Sequence, residues 1–427
     1  MNYVNMESWR CMMSNKRIIL FLFLLICTRQ VYGQQVLTLE QVLQEIKSNN
    51  PSLKAFDSKM KSQDAKVEGS GAWMAPMVGV GTFMTPYPGV KVMDEADKGA
   101  WMISAEQDIP NPAKLKAKAR YLGAQSQITS AEQSVQANQL KARAKELYFG
   151  LLVANKTIVY QKENRAIMQT MKKIAEIRYP YNQGSLNQVF KAEGRLYESE
   201  NMILMTESEI RSKKMAINTL MFRPVSTPFE VDTAYRISFN PTAQLDTSYL
   251  AEKRSDIRQM DRSIDAMGLN IKQMKQEAKP DFRIRFEHMA NRAAMMPNQY
   301  TLMGMISIPI APWSSKMYKS EVKSMNFERD AMRQQKEVML SDMLGMTKAM
   351  ENDLINMEKQ LSNYENKILP ALTKNMKVSM LAYQENKADL NVVIDSWESL
   401  NMSQVNYLEQ SKKFYQMIVD YEKNIER

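Results

Sequence analysis

The sequence predicts a mainly α-helical fold with a β-barrel part, the barrel being closed only by several copies of the chain. Three observations predict it. Fourteen Gly and fifteen Pro are few for 427 residues, while Lys, Glu, Gln, Met and Ala are plentiful, the usage of long helices. One helix–turn–helix pattern occurs twice: Tyr179, Asn182, Leu186, Asn187, Val189, Phe190 and Leu196 are answered at identical spacing by Tyr383, Asn386, Leu390, Asn391, Val393, Ile394 and Leu400. Strand-like segments closing on Ile109-Pro110 and Ile308-Pro309 each precede a long helical run. The halves are about 200 residues each, far beyond a solenoid period, so the repeat indicates one internal duplication.

The N-terminal residues 1–33 read as a signal peptide. Lys16 and Arg17 precede the unbroken apolar run Ile18 to Ile26, too short to span a bilayer as a helix. Val31-Tyr32-Gly33 offers a peptidase site, with cleavage after Gly33. Ile26 stands where a lipobox wants a small residue before Cys27, which argues against lipidation, and the residues before Met13 read as a misassigned start or a dispensable extension. Cys11 and Cys27 both precede the cleavage point, and His288 is the only histidine. Thiolate nucleophiles, Cys/His metal sites and His-dependent triads therefore drop out. No Gly-rich phosphate loop and no Gly-x-Ser-x-Gly elbow is present. A non-enzyme is expected, without catalytic, cofactor-binding or metal-ligating residues. The formal charge is +10, but Lys and Arg alternate with Glu, Asp and Gln along the helical runs, the pattern of solvated helix faces and not of a nucleic-acid surface.

The mature chain divides into a first repeat at 34–222, an irregular linker at 223–244 and a second repeat at 245–427. Thr38 caps a helix whose Leu39, Val42, Leu43 and Ile46 share a face. Asn49-Asn50-Pro51 breaks it, and a second helix runs from Ser52 to about Gly69. The first β-hairpin, 77–109, has strands at Met77 to Phe83 and Trp101 to Ile109 around a polar, proline-bearing loop. From Ala113 to Tyr179 no proline occurs; one helix there is on the order of 100 Å long. The first turn, near 179–190, leads into a helix from Ser185 to Met221. Pro224, Pro228 and Pro241 keep the linker irregular, with a short strand at Phe229 to Val231. In the second repeat one helix is expected from Thr247 to Glu277. The second β-hairpin, 281–308, follows, with strands at Asp281 to Met289 and Tyr300 to Ile308. A helix runs from Ser314 to Ala382, kinked or broken at Pro370. The second turn, near 383–394, opens a last helix to about Ile425.

Strands of about nine residues have the length to cross an outer-membrane hydrocarbon layer. Phe282, Ile284 and Phe286 alternate with Arg283, Arg285 and Glu287, which puts the aromatics toward lipid and the charges toward a watery pore. Four strands cannot close a barrel, because both edges would lie unpaired in lipid. Three copies supply twelve strands, enough for closure around a lumen. Helices this long bury little unless they pack side by side, so three chains make a hollow cylinder of twelve helices continuing the barrel. Both turns then lie at the far end. A half-buried hairpin of a soluble protein explains the alternation equally well. It does not explain two such hairpins at matched positions between very long helices.

In this order and at these intervals the sequence resembles the TolC family of outer-membrane efflux proteins, the outer-membrane factors of tripartite efflux or type I secretion systems. Leu37 to Arg427 is covered. The carriers are Leu37-Thr-Leu-Glu-Gln-Val-Leu, Asn49-Asn-Pro51-Ser-Leu53, Ile109-Pro110, Ile368-Leu369-Pro370 and the two turn motifs. The resemblance implies a homotrimer in the outer membrane with a large periplasmic part: a twelve-stranded barrel, a periplasmic helical tunnel, and an equatorial region made of 223–244 and the chain termini. It implies passive conduction, driven by an inner-membrane transporter and coupled through a periplasmic adaptor protein. The adaptor would dock at the tip turns, at Tyr179, Asn182, Leu186 and Asn187 and at Tyr383, Asn386, Leu390 and Asn391. Family members often carry Gly in the turn; Asn182 and Asn386 stand there instead, and Asn tolerates left-handed backbone. The family's gate, a pair of aspartates three residues apart, falls on Val392 and Asp395. Only Asp395 keeps the carboxylate, so a ring of three could repel itself or bind a cation; an exposed Asp near a helix start is the other reading.

Thirty-six methionines leave two readings. Thioethers suit soft ions such as Cu(I), and Met74, Met77, Met84, Met295 and Met296 flank the strands. Met also serves as adaptable packing, and most here, such as Met168, Met171, Met346 and Met350, lie on long helices at core-like spacing, which favours packing. The alternative to a channel is a non-pore periplasmic coiled-coil adaptor or scaffold protein.

Overall fold

The structure is a computed structural model that describes residues 35–235, 237–242, 244–294, 296–309 and 311–427. The signal peptide, with Lys16, Arg17, Cys11 and Cys27, and Met295 lie outside the described residues. The elements in order are β1 (Gln35–Leu37), α1 (Leu39–Asn49), α2 (Pro51–Gly69), β2 (Met77–Phe83), β3 (Ala100–Ile109), α3 (Pro112–Arg178), α4 (Leu186–Leu220), β4 (Phe229–Val231), α5 (Thr247–Lys253), α6 (Ser255–Gln276), β5 (Asp281–Asn291), β6 (Gln299–Ser307), α7 (Pro312–Asn363), α8 (Leu369–Gln384) and α9 (Leu390–Ile425).

Local chemistry sets the boundaries. Thr38 Oγ1 accepts from the Gln41 amide at 3.3 Å while Gln41 Oε1 accepts from the Thr38 amide at 3.0 Å, a reciprocal cap. Asn50 and Asn111 cap α2 and α3 through the amides of Ser52 and Ala113, each with proline at the first helical position, where the missing N–H costs nothing. With 67 residues, α3 is roughly 100 Å long. Between α7 and α8 the chain passes through a π-helical turn, Tyr364–Ile368, which places Pro370 in the first turn of α8. The wide turn absorbs the carbonyl that proline cannot bond.

The helices form one layer, not a closed bundle. Toward the tip turns the packing order is α4, α3, α9, α8; toward the sheet it is α2, α3, α6, α7. The sheet is likewise open, with order β2-β3-β5-β6 and antiparallel pairing throughout. Because α3 and α7 both leave the sheet and run toward the turns, the sheet and the turns occupy opposite ends. Among the described residues no helix is long and apolar enough to cross a membrane.

Two expectations need correction. The single helix read over Thr247 to Glu277 is broken at Arg254, which is extended (φ −73°, ψ 127°). Its guanidinium bridges Asp256 at 2.5 Å and donates to Asn424 O at 2.7 Å, while the Ser255 amide and hydroxyl both donate to Glu426. The chain terminus thus occupies the break. The second correction is β1, a strand absent from the sequence reading. It pairs in parallel with β4, Leu37 opposite Val231. Tyr148 ties this pair to α3, donating to Leu37 O at 2.9 Å and accepting from the Asp232 amide at 3.2 Å. Burial raises the pKa of the Tyr148 hydroxyl above its ordinary value. The linker, β1 and the C-terminal end therefore gather around the middle of α3.

A buried polar cluster fixes the register of α3 against α9. Asn164 donates to Gln404 Oε1 at 2.8 Å and Asn401 Oδ1 at 3.2 Å, and accepts from Trp397 Nε1 at 3.0 Å. Asn164→Ala leaves the buried indole N–H without its acceptor, and a loss of about 1–3 kcal/mol is expected, read as a lower thermal midpoint of the detergent-solubilised protein.

Candidate functional site

The register of β2-β3-β5-β6 sorts the side chains into two faces, since directly paired residues of antiparallel strands share a side. Phe282 lies opposite Ile109 and Ile306, and Phe286 opposite Ala105 and Leu302. With Val78, Val80, Trp101 and Ile103 these side chains make a predominantly apolar face, shared by Thr82, Gln107 and His288, that is largely exposed; Phe282, Ile284 and Phe286 are 43%, 48% and 43% exposed. Exposed large apolar side chains gathered on one sheet face to this extent mark a surface that meets something other than water. At the end away from the helices the face ends in aromatic rings: Tyr300 stacks on Phe286 at 6.2 Å, and Arg292 sits over Trp101 at 4.3 Å.

The opposite face carries an ion-pair ladder. Arg283 meets Asp108 at 2.6 Å and Glu106 at 2.8 Å; Arg285 meets Glu287 at 2.6 Å and Glu106 at 3.9 Å. At the helix junction Lys114 bridges Asp281 at 2.6 Å and Glu277 at 3.2 Å. The alternation read from 282 to 287 thus separates into an apolar face and a charged one. Both edge strands, β2 and β6, keep one side without a ladder partner.

At the other end the two turns have the same backbone. Asn182 and Asn386 are left-handed, with φ of 56° and 61°. Their amides donate to Tyr179 O and Tyr383 O, both at 3.1 Å, and the next amides, Gln183 and Lys387, reach Arg178 O and Ala382 O at 3.2 and 2.8 Å. This is the six-to-one closure that ends a helix on a left-handed residue. The surroundings differ. Tyr179 and Leu186 are 45% and 44% exposed, and Asn182 and Asn187 are exposed, whereas Tyr383 and Leu390 are buried at 2% and 0%. Tyr383 and Leu390, expected among the docking residues, are core residues of the hairpin pair and offer no surface. Asn386 and Asn391 remain exposed.

The contact that buries Tyr383 comes from Arg178, a residue outside the repeated pattern. Its guanidinium lies over the Tyr383 ring at 4.2 Å and donates to Tyr383 O and, at 3.4 Å, to Gln384 O. Further links between the hairpins run from Gln188 to Asp389 at 3.2 Å, Lys191 to Asn391 at 3.2 Å and Arg195 to Glu398 at 2.5 Å. Tyr181, 74% exposed, is a tip residue that motif matching did not single out, and Phe190, a motif residue not counted among the docking residues, is 59% exposed beside it. Their signal is aromatic side chains at a turn that no local pattern buries. Val392 and Asp395 share the exposed face of α9, and Asp395 has no ion-pair partner among the described residues.

The apolar surface of α4 is split. Ala192, Leu196, Ser199, Ile203 and Thr206 are buried against α3. Phe190, Tyr197 and Leu204, seven residues apart, are 59%, 55% and 60% exposed on another face. At the opposite edge of the layer, Val378 and Leu381 on α8 are 66% and 54% exposed.

No family model and no curated protein sequence matches the chain. The same fold occurs in solved outer-membrane channels. The outer-membrane channel OprN is 16% identical over 91% of this chain and 89% of its own, with a TM-score of 0.71. CusC, described in terms of folding and transmembrane channel formation, is 14% identical over 91% of each chain, with a TM-score of 0.74. The open state of the Neisseria gonorrhoeae MtrE outer membrane channel is 12% identical over 91% of this chain and 88% of its own, with a TM-score of 0.70. The chain has the fold of these channels.

Proposed function

We propose that this chain, folded as outer-membrane channels are, is one of three copies of an outer-membrane duct that conducts solutes passively as the exit of a tripartite export system. The observation that carries the proposal is that the sheet and the helix layer are open at the same two edges. A flat sheet with one lipid-compatible face and two unpaired edges is unstable in a bilayer, and a helix layer with apolar edges is unstable in water. Joining the β6 and α8 edge of one copy to the β2 and α4 edge of the next resolves both. Three copies give a twelve-stranded barrel whose apolar face meets lipid at Phe282, Ile284 and Phe286, with the ion-pair ladder lining the lumen. A soluble scaffold would leave the apolar sheet face in water, so nothing favours that reading.

The tip would dock a periplasmic adaptor through its exposed residues, Tyr179, Tyr181, Asn182, Leu186 and Asn187, with Asn386 and Asn391 of the second turn. Energy would come from an inner-membrane transporter. Asn386→Pro removes the amide that closes the turn on Tyr383 O, and loss of export with trimer retained is the expected result of an export assay paired with a density gradient. Normal export by the variant refutes the docking role. Asp395 would project into the tunnel, where three copies make an anionic ring. Asp395→Lys should reverse the local charge and lower cation selectivity in planar bilayers; an unchanged reversal potential removes Asp395 from the permeation path.

The test of the proposal is negative-stain electron microscopy of the detergent-extracted mature protein. Threefold tubes longer than about 100 Å, as the length of α3 requires, support the duct. Compact particles or single rods overturn it.

A further inference from the structure

The charged face of the sheet holds a second feature. Met77, Met102, Met289, Met303 and Met305 are the methionines of β2, β3, β5 and β6, and all five lie on that face. Met102 pairs directly with Met289, Met77 with Glu106, Met303 with Arg285 and Met305 with Arg283. The other face takes Val, Ile, Phe, Leu, Trp and Tyr, with Thr82, Gln107 and His288 among them, and no methionine. Packing does not explain this sorting. Methionine used as an adaptable substitute for leucine belongs among the apolar side chains, and here it stands among ion pairs. Met77 and Met303 are 56% and 45% exposed, so they are not filling a core.

The chemistry of the face narrows what it would hold. Each of Glu106, Asp108 and Glu287 already meets a guanidinium at 2.8 Å or closer. A hard divalent cation would have to break those pairs to gain oxygen ligands. The thioethers carry no charge and are committed to no ion pair, and they are soft donors that favour monovalent soft metals. A direct cross-strand pair sets its two Cβ atoms about 5 Å apart, within reach for two flexible methionine side chains to converge on one ion. Met102 and Met289 form such a pair near the end of the sheet away from the helices.

We infer that the lumen face of the barrel is a thioether site for a soft monovalent cation of the Ag(I) or Cu(I) class, centred on Met102 and Met289 and continued by Met77, Met303 and Met305. The inference rests on the duct reading for its placement in a lumen. The measurement is equilibrium dialysis of the detergent-solubilised mature protein against silver nitrate in chloride-free buffer, with X-ray absorption to identify the donor atoms. One variant carries leucine at the five strand methionines; another carries leucine at Met202, Met205, Met317 and Met402, which are exposed on the helices. Sulfur-coordinated Ag(I) is expected in the parent and in the helix variant, with binding about tenfold weaker in the strand variant. If the five-site variant does not fold, Met102→Leu with Met289→Leu reads the central pair alone. Equal binding by strand and helix variants overturns the site. Electron microscopy of the same samples separates the two readings. Threefold tubes without strand-dependent silver binding overturn the site and leave the duct. Strand-dependent binding by particles that are not tubes overturns the placement in a lumen.

Discussion

Glutamate at Phe190 and Leu204 together should convert the proposed threefold assembly into folded monomers. Both side chains are more than half exposed on the single chain, so the substitutions remove little packing within it. They sit fourteen residues apart, with Tyr197 midway between them, on the face of α4 that points away from α3, the seven-residue spacing of a helix seam awaiting a partner. Covering each large apolar side chain at a subunit boundary contributes about 1.5–3 kcal/mol. The change deletes two of these at each of three boundaries and puts two carboxylates there to be desolvated. Mass photometry in detergent should read a shift from trimer to monomer, with far-ultraviolet circular dichroism unchanged. A variant that remains trimeric places the subunit boundary elsewhere and removes the main support for the ring.

Alanine at Arg178 should loosen the tip. The guanidinium holds the end of α3 to the end of α8 through the Tyr383 ring and two carbonyl oxygens, and it is only 8% exposed. Hydrogen bonds from a charged donor and a shielded cation–π contact together support a net loss of about 2 kcal/mol. In a two-state tip this shifts the balance toward the open form by roughly thirtyfold. Single-channel recording in planar bilayers should show a higher mean conductance, while the trimer stays intact on a gradient because the sheet and equator are untouched. Arg178→Lys keeps the charge but loses the planar fork and should fall between the two. An unchanged conductance in the alanine variant means that the clasp does not restrain the tip.

Much of this architecture was legible in the chain because it is written in short-range patterns. The alternation at 282–287 marks a strand with unlike faces, and the register with β3 and β6 extends the same division across the whole sheet. Asn182 and Asn386 signalled left-handed turns, and both adopt them. The Thr38 cap marked the helix start at Leu39. The failures have a common cause. The helix read through Arg254 is interrupted by partners near residue 426, and β1 exists only because β4 lies beside it. Propensity carries no information about a neighbour that far along the chain.

The turn motifs mark the limit most clearly. By itself the sequence determined that two helix–turn–helix units of one pattern exist and that each turn closes on asparagine. Spacing and backbone preference are properties of a residue and its near neighbours. The tertiary structure alone decided that Leu390 and Ile394 are buried while their counterparts Leu186 and Phe190 face outward. The reason is position in the layer. The second unit's return helix, α9, lies between α3 and α8, whereas the first unit's return helix, α4, forms the edge. Equal sequences at unequal positions bury unequal surfaces, because the hydrophobic effect acts on whatever element stands opposite.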